Sequence, residues 1–579
     1  MPSLLQRLKE RKLVQWALAY LAGVWAVMEA SAYVGEQFHW PDVIGQVITV
    51  VAMVGFFVTL VLAWYHGEKG RQRVSGPELL MVAALLVIAA AALSVITSSD
   101  ETHTASEPLE GFEGDDRPAI AVFPCENFSP DPADAYFANG MHDEILVRLS
   151  KISGLSTIGR ESVEWYRDNP RPMREMVREL GVGFVGECSV RKDESQSQIR
   201  VTFQLIDGNT GSQIWAENYD RSLTVSSIFG IHSDVAQQVA RAVGAVLTPE
   251  EQARIEGEST ESLEAYTANS YGRIWLARRG TQGSVALEKA ISHFEEALQH
   301  DSAFAPAYAG LASAYIVAPY YGEFVPNDFA LRRAKSAVEA ALRLDSELPE
   351  AHAVLAFIKM AFEWDWEGAE REFRRAIDLD PGFATAYQWY GFYLVTMRRF
   401  DEALAAMRRA LQLDPLSPII NEDLGDVAYY ARRFDDAIEQ FQRTLALFPN
   451  RQSTHIMMGL ANLQLNRHDE ALGQLQLGIG DPSDAPQLPG SAAISSVYSA
   501  MGDSTTAREI VARSDAWSLQ TRLYAYPGTR DLDRAFAVID SAVEQRAPWV
   551  WLATVDPLYD FLRSDPRYTD LLRRMGLDH

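Results

Sequence analysis

The residues that could do chemistry are few and scattered. Cys125 and Cys188 stand in neither a CxxC nor a His-rich setting, which argues against zinc or haem. They are either one disulfide in an oxidising compartment or two small buried apolar side chains. His142, Asp143 and Glu144 are consecutive, so on a helix they fan onto different faces and read as solvated surface rather than a metal site. "ANG" (138–140) and "GNTG" (208–211) read as turns, with no GxxxxGK[ST] after a strand to cradle phosphate. No nucleophile–base pair assembles. The expectation is a non-enzymatic chain with no catalytic, cofactor-binding or metal-ligating residue.

A binding surface is better marked. Pro381, Pro415 and Pro449 are 34 residues apart, and so are Gly391, Gly425 and Gly459, and Ala403, Ala437 and Ala471. That period, with two small positions and a closing proline, is the tetratricopeptide pattern of stacked helical hairpins. Small residues let the helices approach, and proline ends the second helix. Six repeats are recognisable over 263–485, with extra residues around "YYGEFVPND" (320–328) and a one-residue stretch at "EWDW" (363–366). Residues 486–579 read as degenerate repeats and a C-terminal cap. Counting from the register, the concave face exposes Gln388, Phe392 and Val395, then Glu422, Asp426, Tyr429 and Tyr430. Aromatic groups beside carboxylates suit a basic or apolar peptide. The competing reading is that these aromatics pack between hairpins.

Those elements belong to a long, acidic chain. At 579 residues it needs several cores. The net charge is −26, yet residues 1–78 hold seven Lys/Arg against six Asp/Glu, so the acidity lies beyond them. Such a field argues against nucleic-acid partners, which need clustered cations, and favours positively charged ones.

Residues 14–34, 44–65 and 79–97 are apolar over about one bilayer thickness each, and predict three transmembrane α-helices within a membrane region 1–98. Residues 1–13 and 66–78 are basic, whereas 35–43 is not, and seven carboxylates precede Arg117 after the third segment. That alternation predicts a cytoplasmic N-terminus in a bacterial inner membrane and periplasmic C-terminal domains. Glu29, inside the first segment, reads as a snorkelling or helix-bonding group near its outer end. Residues 99–116 read as an acidic linker.

Residues 117–248 change pattern, with short apolar runs such as "AIAVFP" (119–124), the alternating "QIRVTFQLID" (198–207), and helical periodicity between and after them. The predicted order β-α-β-α-β-β-β-α gives a small α/β domain. "AIAVFPCENFSPDPADAYFANGMHDEILVRLSKISGLSTIGRESV", "LGVGFVGECSVRK" and "VTFQLIDGNTGSQIWAENYDRSL" resemble the TolB-amino-terminal-like (FlgO-like) periplasmic domain. "RLKERKLVQWALAYLAGVWAVMEA" and the C-terminal "DPLYDFLRSDPRYTDLLRRMGL" are similar to segments of the same bacterial membrane-anchored repeat proteins. The resemblance implies relatives with a cyclase or winged-helix domain ahead of the membrane, where this chain has 13 residues. It does not imply a Cys125–Cys188 bond.

The expectation is thus multi-domain: three transmembrane α-helices, a small α/β domain and an all-α tetratricopeptide solenoid. The expected role is a membrane-anchored interaction scaffold or sensor for a protein or peptide partner. The alternative is the sensory half of a cyclase or transcription-regulating system whose output domain lies on another chain.

Overall fold

The computed structural model describes Val24 and residues 117–578, except 132–133, 322–324, 480–488 and 514–517. The chain divides into two units, Met1–Gly111 and Phe112–His579. Apart from Val24, everything below belongs to the second.

Residues 117–256 form the α/β domain. In chain order it runs β1 (Ala119–Val122), β2 (Glu126–Asn127), α1 (Ala135–Ser150), β3 (Ser156–Thr157), α2 (Arg160–Asp168) and α3 (Met173–Leu180). There follow β4 (Phe184–Asp193), β5 (Gln198–Asp207), β6 (Gln213–Ser222), α4 (Val225–Val243) and α5 (Pro249–Glu256). The sheet order is β3-β1-β4-β5-β6, with β2 pairing β4. β1 lies parallel to both β3 and β4, and β4-β5-β6 is an antiparallel meander. β5 alternates, as a strand with one buried face must, putting Ile199, Val201, Phe203 and Leu205 into the core. α1 and α4 pack together over that core through Met141, Ile145, Ile228 and Val235. The Thr248 hydroxyl and the Glu251 carboxylate cap α5 reciprocally.

The sequence pattern lacked α2, α5 and β2. α2 carries too few apolar residues for a clear helical stripe, and β2 is two residues long. The structure joins Cys125 to Cys188 as a buried disulfide with Cα atoms 4.6 Å apart, tying the β1–β2 connection to β4.

Helical hairpins follow: α6 (Leu263–Ala277) with α7 (Arg279–His300), α8 (Ala305–Val317) with α9 (Asn327–Leu344), and α10 (Pro349–Ile358) with α11 (Trp366–Leu379). Then come α12 (Ala384–Thr396) with α13 (Phe400–Leu413), α14 (Pro418–Tyr430) with α15 (Phe434–Leu447), and α16 (Gln452–Gln464) with α17 (His468–Ile479). The small positions act as the period implies. A Cβ on Gly425 would overlap the Phe441 ring, and one on Gly272 or Gly310 would overlap Phe294. The turns inside four hairpins each hold one left-handed residue, Trp364, Arg398, Arg432 and Asn466, at φ 59°, 57°, 63° and 58°. The extra residue near "EWDW" is absorbed by a π-helical turn over Lys359–Glu363.

The chain ends with α18 (Pro489–Ala500), α19 (Ser504–Arg513), α20 (Leu519–Ala525), α21 (Leu532–Glu544), α22 (Leu552–Val555) and α23 (Pro566–Met575).

One part of the expected fold class is corrected. No helix among the described residues is long and apolar enough to cross a membrane. The apolar helices are too short: α8 has 13 residues, where a span needs about 20. The longer α7, at 22 residues, carries charges along its length and a break at Gly283. The described residues therefore contain none of the three expected transmembrane helices. Segments 14–34, 44–65 and 79–97, with Glu29 and the linker 99–116, lie outside the described residues except for Val24.

Candidate functional site

The concave face is built from first helices, so α12 and α14 place their inward residues side by side. Gln388, Phe392, Glu422, Asp426 and Tyr430 line a single cavity of about 960 Å³. Val395 and Tyr429 do not line it. Val395 is core, and the fully buried Tyr429 hydroxyl donates to Asp556 Oδ1 at 2.9 Å. For those two, packing within the protein wins over exposure.

Three other parts of the chain pack against the repeats, and two of them, residues 279–283 and the C-terminal segment, line the cavity, which stays partly open. First, the break at Gly283 (φ 56°, ψ −135°) lets residues 279–283 cross towards α14 and α16. Arg451 Nη1 there donates to the Gly280 carbonyl at 3.1 Å. Secondly, the C-terminal segment folds back along the hairpin turns. Arg398 donates to the Thr554 carbonyl at 3.1 Å, and Arg432 grips Asp560 with two bonds of 2.7 Å. The Trp366 indole donates to the Met575 carbonyl at 2.7 Å. Thirdly, the α/β domain docks on the loops that end α11 and α13. Ser150 donates to Asp380 Oδ2 at 2.9 Å, and the Ser162 N–H donates to Asp414 Oδ1 at 2.8 Å. The Gly159 N–H donates to the Leu413 carbonyl at 2.6 Å.

The sequence reading missed much of the wall. Tyr320, Trp389, Tyr524 and Trp551 stand in it beside Phe392 and Tyr430. Trp551 meets Phe392 and Tyr430 at centroid distances of 6.0 and 6.1 Å. Tyr320 sits in the insertion after α8, and Tyr524 and Trp551 lie in the cap. No 34-residue count could place them. Trp389 is one position from Gln388 in α12 and was legible.

The polar side of the cavity is a carboxylate row with unequal partners. Glu422 Oε2 accepts from Arg451 Nε at 2.6 Å, Ser453 Oγ at 2.9 Å and Thr454 Oγ1 at 2.7 Å. Asp423 Oδ2 accepts from Gln388 Nε2 at 2.5 Å, and burial pushes its carboxyl up to about 7. Asp426 Oδ1 is sealed from solvent and accepts no hydrogen bond. Burial, and then the neighbouring Glu422 and Asp423, raise it well above the usual carboxylate range.

A smaller cavity of about 240 Å³ lies where the α/β domain meets the repeats, between Asp143, Arg160 and Glu161 on one side and Arg273, Glu350, Asp380 and Asp414 on the other. The expected solvated face at His142–Glu144 is corrected here. His142 and Asp143 are buried, because α1 is sandwiched between the sheet and α6. His142 Nε2 lies 2.8 Å from the Val122 carbonyl, and burial lowers the ring to about 4. Against burial that would raise it, Arg273 Nε at 2.5 Å and Arg160 Nη1 at 3.0 Å hold Asp143 down to about 2.

Comparison with known proteins bears on the repeats. The tetratricopeptide repeat family model matches residues 365–418 and 422–485. "Putative adenylate cyclase 3" of Rhizobium meliloti (strain 1021) is 33% identical over 251 residues, covering 43% of this chain and 40% of that protein. The match thus spans about two fifths of that relative's length. Among solved structures, Pseudomonas aeruginosa PilF is 23% identical, with a TM-score of 0.31 over 42% of this chain and 98% of its own. The Rap protein solved with competence and sporulation factor is 11% identical, with a TM-score of 0.40 over 55% of this chain and 100% of its own. The chain carries tetratricopeptide repeats, a module of protein–protein interaction and not of catalysis.

Proposed function

We propose that the chain is an interaction scaffold that senses a protein partner through a basic segment entering the concave cavity. The carrying observation is the cavity wall itself, which holds aromatic side chains together with Glu422, Asp423 and Asp426. A basic residue on an apolar stem would satisfy both kinds of group. Residues 279–283 and the cap cover part of the array, so it offers a partly open cavity. The α/β domain is read as TolB-amino-terminal-like, with an extracytoplasmic, periplasmic setting. The buried Cys125–Cys188 bond supports that setting, because disulfides persist in oxidising compartments.

A second reading is favoured by the similarity to the protein named as an adenylate cyclase. In it, this chain is the sensory half of a cyclase system whose catalytic domain lies on another polypeptide.

Photo-crosslinking tests the first reading. A benzophenone amino acid at Phe392 should trap a partner segment containing Lys or Arg, whereas the same group at the exposed Leu477 should not. Equal adducts at both positions, or none at Phe392, would refute it.

A further inference from the structure

We infer that the cavity selects one ammonium group on an apolar stem, a lysine side chain of the partner, and that Asp426 is the carboxylate that pairs with it. The inference rests on the reading above and specifies its chemistry.

Three observations carry it. The first is the state of the carboxylates. Glu422 is matched by a guanidinium and two hydroxyls, and Asp423 is matched by the Gln388 amide. Asp426, half-buried in the same wall, has a carboxylate oxygen with no donor. An orphaned buried acceptor is costly, and an incoming N–H donor removes that cost.

The second is the aromatic part of the same wall. Tyr320, Phe392, Tyr430, Tyr524 and Trp551 offer ring faces and edges to whatever enters. Such a wall packs methylene groups and attracts a cation through the ring quadrupoles. A bare inorganic cation would gain little from it, and among the described residues no group of three or more His, Cys, Asp or Glu is placed to hold a metal.

The third is capacity. The cavity, about 960 Å³ and partly open to solvent, has room for a long side chain together with its flanking backbone.

The test uses the full chain and two probes that differ only in charge. n-Hexylamine carries a lysine-like stem, and 1-hexanol is its neutral counterpart. Calorimetric titration should show the amine binding at least tenfold tighter than the alcohol. In D426N the preference should fall below twofold while the alcohol's affinity stays the same. An amine that binds no better than the alcohol to the unmodified protein overturns the inference without reference to any variant. So does a preference that survives in D426N. If the amine fails but the Phe392 crosslink still forms, the cavity reading stands and only its chemistry is wrong. If the crosslink traps no peptide while the amine binds, the lysine source is wrong.

Discussion

Asp414 Oδ1, at the end of α13, accepts the backbone N–H of Ser162 at 2.8 Å and the hydroxyl of the same serine. One repeat earlier, Asp380 Oδ2 accepts the hydroxyl of Ser150 at 2.9 Å. Two aspartates at equivalent places in successive repeats thus hold the α/β domain. Their loops cannot diverge without releasing it.

Both aspartates should make docking sensitive to pH. Burial raises Asp414 to about 7 and Asp380 to about 6, with the nearby Glu161 and Glu350 adding to the effect in turn. Unfolded carboxyls titrate near 4, so between pH 4 and 7 the folded state holds more protons and stability falls as pH rises. Urea midpoints should drop from pH 5 to pH 7.5 by the equivalent of roughly 1–3 kcal/mol, and D414N should flatten that slope. A slope of the opposite sign, or one unchanged in D414N, would contradict the assignment.

Glycines at the same repeat position should differ in tolerance. Gly425→Ala drives a Cβ into the Phe441 ring, which is fixed in the core, and should cost about 1–3 kcal/mol. Gly391→Ala meets the mobile end of Met407 at 3.1 Å and should cost less than about 1 kcal/mol. Chemical denaturation of both variants checks the ranking.

The cap offers a similar contrast. Asp560 pairs with Arg432 in the open, so Asp560→Ala should cost about 0.2–1 kcal/mol. Asp556 is fully buried against the Tyr429 hydroxyl, so Asp556→Ala strands a buried donor and should cost roughly 1–3 kcal/mol. Thermal melts that rank the two in reverse would mean that the cap is held chiefly from its outer edge.

The disulfide closes a loop between positions 63 apart, worth about 4 kcal/mol on the chain-entropy model. Denaturation midpoints of the α/β domain's signals should fall on adding reductant, and the double variant C125A/C188A should no longer respond. An equal response in that variant would place the reductant's effect elsewhere.

The repeats were legible because tetratricopeptide packing is local. Gly391, Gly425 and Gly459 recur, since each hairpin needs the same close approach. The left-handed turn residues share the period, yet Trp364, Arg398 and Arg432 hide it, because none is the glycine that such a conformation favours. The cavity was only half legible. Gln388, Phe392, Glu422, Asp426 and Tyr430 follow from the register, whereas Tyr320, Tyr524 and Trp551 arrive from an insertion and a cap. The docking of Ser150 and Ser162 on Asp380 and Asp414 spans more than 200 residues. No local pattern encodes it.

The most direct measurement is the affinity of the crosslinked partner segment, made as a synthetic peptide, for three forms of the full chain. Against the unmodified protein, Phe392→Ala should weaken binding at least tenfold, and Leu477→Ala on the exposed surface should leave it unchanged. Equal affinities for all three forms would contradict entry of the partner into the cavity.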